Sequence, residues 1–548
     1  MHKTYQHVLL LYGVLFVIGL ATISGFIEIA APAHYLYTSD GITYAEVARN
    51  ILAGKGISAT PFAPEPYNVD LEPLRIFQPG YPILIAAFAM LGMQPENLVV
   101  WLSVGAWVLL FPAFAFALRP LLSPLWTAVF SYIAATSSGM FTYGFAALTD
   151  VPSLLFIVIS FGLLIRGLKS DNMPKLLVSG FFAASAYAMR NTGAAFLISV
   201  GAVMVGYILI EPTKWKKQTY LTMTWVLGAL PIIVLLWGRN YLLFGNIQTY
   251  SHPPADTPPV SAIRDYLWHF IFEVAPNKTI AQLAWDIKLL IAIGLPALVF
   301  MFISLRKQWP YLQSAGRTAV LVLGVYMLVG STVVIYANIK WGAEGFDRYA
   351  LQYGWLFLAL LSIALNFKPS EKISLLKFIL AGAAVSAFLI ARWDYAVDYA
   401  HQPPDVRQVL VKDTHLIQAV KNVPANALIA TNLIGFLPLE TGRPIRNIEF
   451  KSSKSIDNYI SNLNQRLNQI ADGVGHRPFY AAILPTKDIM EAEYGKKWYV
   501  AITQQINTPG KIDPAWQTLF LKGLSGKLYV VDKTPTMILI ASHPFNQK

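Results

Sequence analysis

The feature that most restricts how this chain can fold is a repeated apolar run of the length a helix needs to cross a bilayer, about 20 residues. About 11 such runs occur, at roughly 8–30, 98–118, 122–142, 148–168, 175–189, 193–210, 218–238, 286–304, 318–337, 351–366 and 376–392. The fifth and tenth are short. The run from Tyr81 to Met93 is shorter still and reads as re-entrant or interfacial rather than spanning. Composition supports the same class, with 55% hydrophobic and only 13% charged residues and a mean hydropathy of +0.48. The chain reads as a polytopic membrane protein.

Lys and Arg in short loops then set orientation. With the N-terminus in the cytoplasm, Lys3, Arg119, Arg166, Lys169, Lys175, Lys214, Lys216, Lys217, Arg306, Lys307, Arg317, Lys368 and Lys372 all fall inside. The loops near 31–80, 143–147, 190–192, 239–285 and 338–350 fall outside, as does everything after about residue 393. The formal net charge of +12 is thereby read as a membrane-orientation signal, with no nucleic-acid module in evidence. The chain has no cysteine, which removes disulfides, thiolate catalysis and Cys-ligated metals. An extracytoplasmic region without disulfides suits the inner (plasma) membrane of a bacterium better than the endoplasmic reticulum. The first run exceeds the h-region of a signal peptide, so Ala31-Pro32-Ala33 is read as a weak imitation of a cleavage site. His252 to Pro259 is Pro-rich and reads as an extended outer segment.

Two parts follow, a transmembrane domain over 1–400 and an extracytoplasmic α/β domain over 401–548. In the latter, Thr414–Val423 and Met490–Ile506 read as helices. Ala427–Thr431 and Phe479–Leu484 read as strands, and Lys527–Val531 with Met537–Ala541 as a closing hairpin. It carries no phosphate-binding Gly motif, nucleophile elbow or metal spacing. Its expected role is to cover the outer mouth of the membrane part or to help choose the acceptor.

Ionisable groups at the outer ends of spans carry the chemistry, because charge at membrane depth is costly and marks sites. Ser39-Asp40-Gly41 opens a short helix, Ile42 to Leu52. Its Tyr44, Val47, Ala48, Ile51 and Leu52 share an apolar face, opposite Thr43, Glu46, Arg49 and Asn50. This is the pattern of a helix lying in a membrane surface. Asp40 is the candidate catalytic base, and the competing reading is a helix N-cap. Asp150, in Leu148-Thr149-Asp150-Val151-Pro152-Ser153, is a second acid or again a cap. Arg75 precedes the re-entrant run. Arg190 lies in Met189-Arg190-Asn191-Thr192, and Arg348 with Tyr349 in Phe346-Asp347-Arg348-Tyr349. Arg190 and Arg239 could instead snorkel to head groups, and Arg348 could pair locally with Asp347 or Glu344. His252 reads as a loop residue, and Asp394 with Asp398 as a solvated face.

Four segments carry a family resemblance: Ser39 through Gly54, Gln78 through Leu84, Leu148 through Ser153, and Asp347-Arg348-Tyr349, with Thr441-Gly442-Arg443 in the tail. The chain resembles the GT-C glycosyltransferases, in particular the group with the protein O-mannosyltransferases and the lipid A aminoarabinose transferases. The resemblance implies a polytopic all-α membrane domain of about 11 helices with interfacial helices in the first outer loop, plus the small α/β domain. It implies transfer of a hexosyl or pentosyl group from a polyprenyl-phosphate donor to a glycan, lipid or protein acceptor among the membrane lipids of the outer face. Carried over by position, Asp40 is the catalytic acid, Asp150 the second acidic position and Arg348 the basic position near the donor phosphate. Tyr44, Gln78 and Tyr349 are candidate substrate contacts. Many relatives read Glu-Lys-Pro-Pro where this chain has Phe77-Gln78-Pro79-Gly80. Gln78 brings no charge, so Arg75, Arg348 or Arg190 must neutralise the phosphate.

In an inverting transfer a carboxylate takes the acceptor hydroxyl's proton while that oxygen attacks the anomeric carbon. Guanidinium groups stabilise the departing phosphate. Gly41 follows Asp40 and no Asp-X-Asp cluster occurs in that loop, so no cofactor is expected and a divalent metal is not favoured. The rival readings are a transporter or flippase, which would show repeated halves and mid-membrane broken helices, and a non-catalytic subunit of the same fold.

Overall fold

A computed structural model describes residues 2–31, 37–61, 71–249, 257–274, 295–341, 346–365, 375–402, 405–433, 436–448, 456–474, 476–507, 514–524, 528–534 and 536–542. The chain divides into two compact units. One comprises Met1–Ile29, Arg75–Leu84 and Val100–Tyr399, and the other Ala30–Leu74, Ile85–Val99 and Ala400–Lys548. The second unit therefore takes in most of the first loop as well as the C-terminal region.

In chain order the helices up to residue 400 are α1 His2–Ala30, α2 Ser39–Leu52, α3 Gly80–Ala89, α4 Pro95–Leu118, α5 Pro124–Ala135, α6 Ser138–Tyr143, α7 Asp150–Ser170, α8 Met173–Met189, α9 Gly193–Ile210, α10 Trp215–Phe244, α11 Pro259–Val274, α12 Leu295–Gln308, α13 Ser314–Trp341, α14 Phe346–Leu365 and α15 Leu375–Ala400. Among the described residues, seven helices are long and apolar enough to cross a membrane. The expected re-entrant run is the ten-residue α3. Part of the eighth expected span, 286–294, lies outside the described residues, as do His252 and most of the Pro-rich segment.

The third expected span is not one helix. Its main chain breaks at Thr136–Ser137, where other side chains take over the freed backbone groups. The Trp107 indole donates to the Ala135 carbonyl at 2.7 Å, and Ser137 caps α6 by accepting from the Met140 N–H at 3.4 Å. Arg392, fully buried on α15, donates to the freed Thr136 carbonyl at 3.4 Å and to Ser138 Oγ at 3.2 Å.

Within the first unit α8 packs against both α7 and α10. Gly180 and Gly228 make the second contact possible, since a Cβ on Gly180 would strike the Trp225 carbonyl and one on Gly228 the Leu177 carbonyl. Small residues that let two backbones meet are the usual means of helix association in a bilayer. Ser160 and Ser179 bond each other's carbonyls at 2.8 and 2.9 Å, and the Trp225 indole donates to Ser179 Oγ at 3.2 Å. Burial grades the helices: the apolar window of α1 is 17% buried and that of α7 is 72% buried. A helix apolar all round yet little covered faces lipid, so α1 is peripheral and α7 central. Phe26 fixes α1 by edge-on contacts with Trp107, Phe141 and Phe145.

In the second unit, Ser58–Ala59 (β1) pairs antiparallel with Glu72–Pro73 (β2) beside α2. After residue 400 a five-stranded mixed sheet forms from β3 Leu428–Thr431, β4 Arg446–Asn447, β5 Phe479–Ile483, β6 Tyr529–Thr534 and β7 Met537–Ala541, in the order β4-β3-β5-β7-β6. β3 runs parallel to β4 and β5, while β7 is antiparallel to β5 and β6. Alternate residues feed two cores: Ile429, Tyr480 and Leu539 on one face, Ala430, Phe479 and Ile540 on the other. A sheet covered on both faces reads as continuous apolar runs, which is why β5 and β7 are apolar throughout. The single helix expected over 490–506 is two, Lys487–Tyr494 and Trp498–Asn507. Gly495, at φ +75°, turns the chain between them in a conformation glycine alone adopts readily.

Candidate functional site

Asp150 is the first residue of α7 and is fully buried. It is not the helix cap: Thr149 holds the N-cap position, and the Asp150 carboxylate turns to two arginines instead. Its Oδ2 accepts from Arg190 Nη1 at 3.0 Å and from Arg348 Nη2 at 3.1 Å, groups 40 and 198 residues away in sequence. Arg190 reaches it because α8 ends there: Arg190 has an extended backbone and turns the chain toward α9. Arg348 reaches it from the first turn of α14, which begins five residues before the apolar run suggested. The Asp150 contact is a longer-range one than the local pairing considered for Arg348, and the Asp347 side chain is not among those described. Glu344 lies outside the described residues.

One carboxylate cannot cancel two permanently charged guanidiniums. Both guanidiniums remain partly open to their surroundings, with side chains 12% (Arg190) and 24% (Arg348) exposed. The Arg190 guanidinium also lies 5.0 Å from the centre of the Tyr349 ring, a cation–π contact. Asp150 Oδ1 is buried and accepts from no donor among the described residues. Buried acceptors are nearly always satisfied, so this atom marks a place where a donor from elsewhere fits.

Gln78 donates to Asn191 Oδ1, which sets it one residue from Arg190. Arg75 is held elsewhere, its Nε donating to the Thr249 carbonyl at 2.8 Å while Thr249 Oγ1 donates to the Arg75 carbonyl at 2.6 Å. Its guanidinium lies 5.8 Å from the Phe244 ring centre, and that of Arg239 lies 5.7 Å from the same ring. Asp150, Arg190, Arg348 and Tyr349 thus come together, with Gln78 attached through Asn191 and Arg75 bonded to the Thr249 segment. Sequence reasoning passed over Asn191 and Thr249. Asn191 sat in a segment already singled out, while Thr249 carried no signal.

Asp40 and Tyr44 belong to the second unit. The N-cap of α2 is Thr38, whose Oγ1 accepts from the Gly41 N–H at 3.0 Å. The capping role weighed for Asp40 therefore falls to Thr38, and the half-buried Asp40 carboxylate accepts from Ser39 Oγ at 3.5 Å. Tyr44 is buried one turn further on. On the polar face, Glu46 accepts from both the N–H and the hydroxyl of Thr60, and Arg49 pairs with Glu96 at 3.0 Å. Burial pushes the Glu46 carboxyl above its usual pKa, against the lowering effect of its Thr60 bonds and of Arg49. Among the described residues no three His, Asp or Glu side chains gather as a metal site.

Compared with solved structures, this chain has the fold of the GT-C glycosyltransferases, as its motifs led one to expect. The individual matches span most of this chain but unequal shares of the others. ArnT from Cupriavidus metallidurans, a lipid A aminoarabinose transferase, matches with a TM-score of 0.56 and 12% identity over 97% of this chain and 98% of that one. The oligosaccharyltransferase AglB from Archaeoglobus fulgidus matches with a TM-score of 0.56 and 10% identity over 90% and 71% of the two chains. The arabinofuranosyltransferase AftD from Mycobacteria matches at 0.53 and 11%, over 99% of this chain and 42% of that one. No family model and no curated protein matches the sequence. At such identities the likeness is one of fold.

Proposed function

We propose that the chain is a membrane glycosyltransferase that moves a sugar from a polyprenyl-phosphate donor to an acceptor hydroxyl at the outer face of the membrane. The observation that carries this is the Asp150–Arg190–Arg348 trio: two partly exposed guanidiniums converge on one buried carboxylate, the geometry that receives a phosphate. Two fold relatives point the same way, since ArnT has been solved bound to undecaprenyl phosphate and AglB with a dolichol-phosphate. The shared fold, rather than repeated halves, also favours transfer over transport.

Arg348 and Arg190 take the donor phosphate and stabilise the charge it gains as the glycosidic oxygen leaves. Gln78, attached through Asn191, extends the donor-facing surface and donates hydrogen bonds where a cation would otherwise add charge, while Arg75 braces the Thr249 segment. Asp40 is the general base: it removes the acceptor hydroxyl's proton as that oxygen forms the new bond to the anomeric carbon and the polyprenyl phosphate departs with the old bond's electrons, inverting the centre. Such assistance is typically worth 10²–10⁴-fold. The reaction is written without a metal. The protein is placed in the inner membrane of a bacterium, N-terminus in the cytoplasm and C-terminal domain outside.

The test compares glycolipids, glycoproteins and polymers by mass spectrometry in cells making the wild type, Asp40→Asn or no protein. The wild type alone should yield a product heavier by one sugar residue. Identical profiles in the three strains would overturn the proposal.

A further inference from the structure

The second unit contains a cavity of about 400 Å³ that the catalytic reading leaves unused. One wall is the polar face of α2, and the other is the segment 438–447 that leads from a short helix into β4. Thr43, Glu46, Asn50 and Ala53 recur every three or four residues and so line one side of α2, while Asp40, Tyr44 and Val47 lie on another. The cavity is thus distinct from the face that bears Asp40. Its volume lies within the roughly 300–1,000 Å³ usual for small-ligand sites.

The lining mixes apolar and polar groups, and its charged side chains are mostly cations. Arg49 is matched by Glu96 outside the lining, which leaves Lys55 and Arg443 facing the one lining carboxylate, Glu46. Arg443 donates from both terminal nitrogens to main-chain carbonyls, those of Val423 and Pro424, which fix the guanidinium without cancelling its charge. Each of those nitrogens carries a second N–H. Asn50 is locked by donating to the Ser58 carbonyl at 2.8 Å. Pro61, Pro438 and Pro444 supply flat apolar surfaces. Fixed amide and guanidinium groups beside C–H surfaces suit a sugar ring, and the excess of cations suits a negative substituent on it.

We infer that this cavity binds a saccharide bearing a carboxylate or phosphate, and that it holds the part of the acceptor remote from the reacting hydroxyl. The acceptor role rests on the transferase reading above, whereas the binding itself does not. The acid group contacts Lys55 and Arg443, while Glu46, Asn50 and Thr43 accept from or donate to ring hydroxyls.

The experiment uses the full-length protein in phosphatidylcholine nanodiscs and measures binding by saturation-transfer NMR and calorimetry. Glucuronic acid, glucose 6-phosphate, glucose and inorganic phosphate are the probes. The two anionic sugars should bind about tenfold more tightly than glucose or inorganic phosphate, the equivalent of one charge-assisted contact. Lys55→Ala, at an exposed position, should remove most of that preference, and Arg443→Lys should weaken binding while keeping the positive charge. Undecaprenyl phosphate binding should be unchanged in Lys55→Ala, and the acceptor KM should rise with kcat retained. Equal binding of glucose and glucuronic acid, a preference for inorganic phosphate alone, or anionic-sugar binding indifferent to both substitutions overturns the inference. Loss of transferase activity in Asp40→Asn with anionic-sugar binding intact separates this site from the catalytic reading. Specific anionic-sugar binding by a wild type that transfers nothing would refute that reading and the acceptor role together, leaving the site itself standing.

Discussion

Removing the Asp150 carboxylate tests the electrostatic core of the first unit. Asp150 is fully buried and bonded to two guanidiniums at 3.0 and 3.1 Å. In Asp150→Ala both cations lose the counter-charge they share, and stripping one partner from a buried ion pair typically costs about 3–5 kcal/mol. Asp150→Asn keeps an acceptor oxygen for one guanidinium, so its cost should fall to about 1.5–3 kcal/mol, that of a hydrogen bond to a charged group. Arg348→Ala leaves the Asp150–Arg190 pair intact, and because the Arg348 side chain is 24% exposed its removal should cost only about 1 kcal/mol. A cost that falls from Asp150→Ala through Asp150→Asn to Arg348→Ala is the signature of one carboxylate serving two cations. Reversible unfolding in mixed micelles by added dodecyl sulfate measures it, read from the emission of the chain's 14 tryptophans. A cost below about 1 kcal/mol for Asp150→Ala, or a greater cost for Arg348→Ala, would refute the reasoning.

Binding should show the opposite order to stability: Arg348→Ala should weaken undecaprenyl phosphate affinity by about 10- to 100-fold, measured by calorimetry in nanodiscs. Asp40→Asn should abolish sugar transfer while leaving expression and the unfolding midpoint unchanged, and full activity would remove Asp40 from the mechanism. Gly180→Ala and Gly228→Ala should each lower the melting temperature by several degrees, because the added methyl meets a main-chain carbonyl that has to move. Glu46 is raised in the folded state, so it binds its proton more tightly there than in the unfolded chain. Its contribution is full below the ordinary carboxylate pKa and is lost as pH rises through the raised value. The wild type should therefore gain stability relative to Glu46→Gln as pH falls from neutral toward 4.5, the unperturbed value. A pH-independent difference would count against burial as the cause.

What the sequence decided by itself is what depends on composition and short-range period. The apolar runs made a membrane bundle unavoidable, and the 3.6-residue period of 42–52 drew α2 with its two faces. The strands around 428–431, 479–483 and 537–541 showed in their unbroken apolar character. Short motifs at 40, 150 and 348 pointed to the GT-C fold. Tertiary structure alone decided which arginine meets which acid. Arg348 meets a carboxylate 198 residues away, a contact that helix packing sets and no local pattern announces. The division of the third span was likewise invisible, because the groups that rescue its broken ladder, Trp107 and Arg392, come from helices remote in sequence. Local pattern reports which surfaces of an element seek cover. Which partner provides it depends on the arrangement of the whole chain.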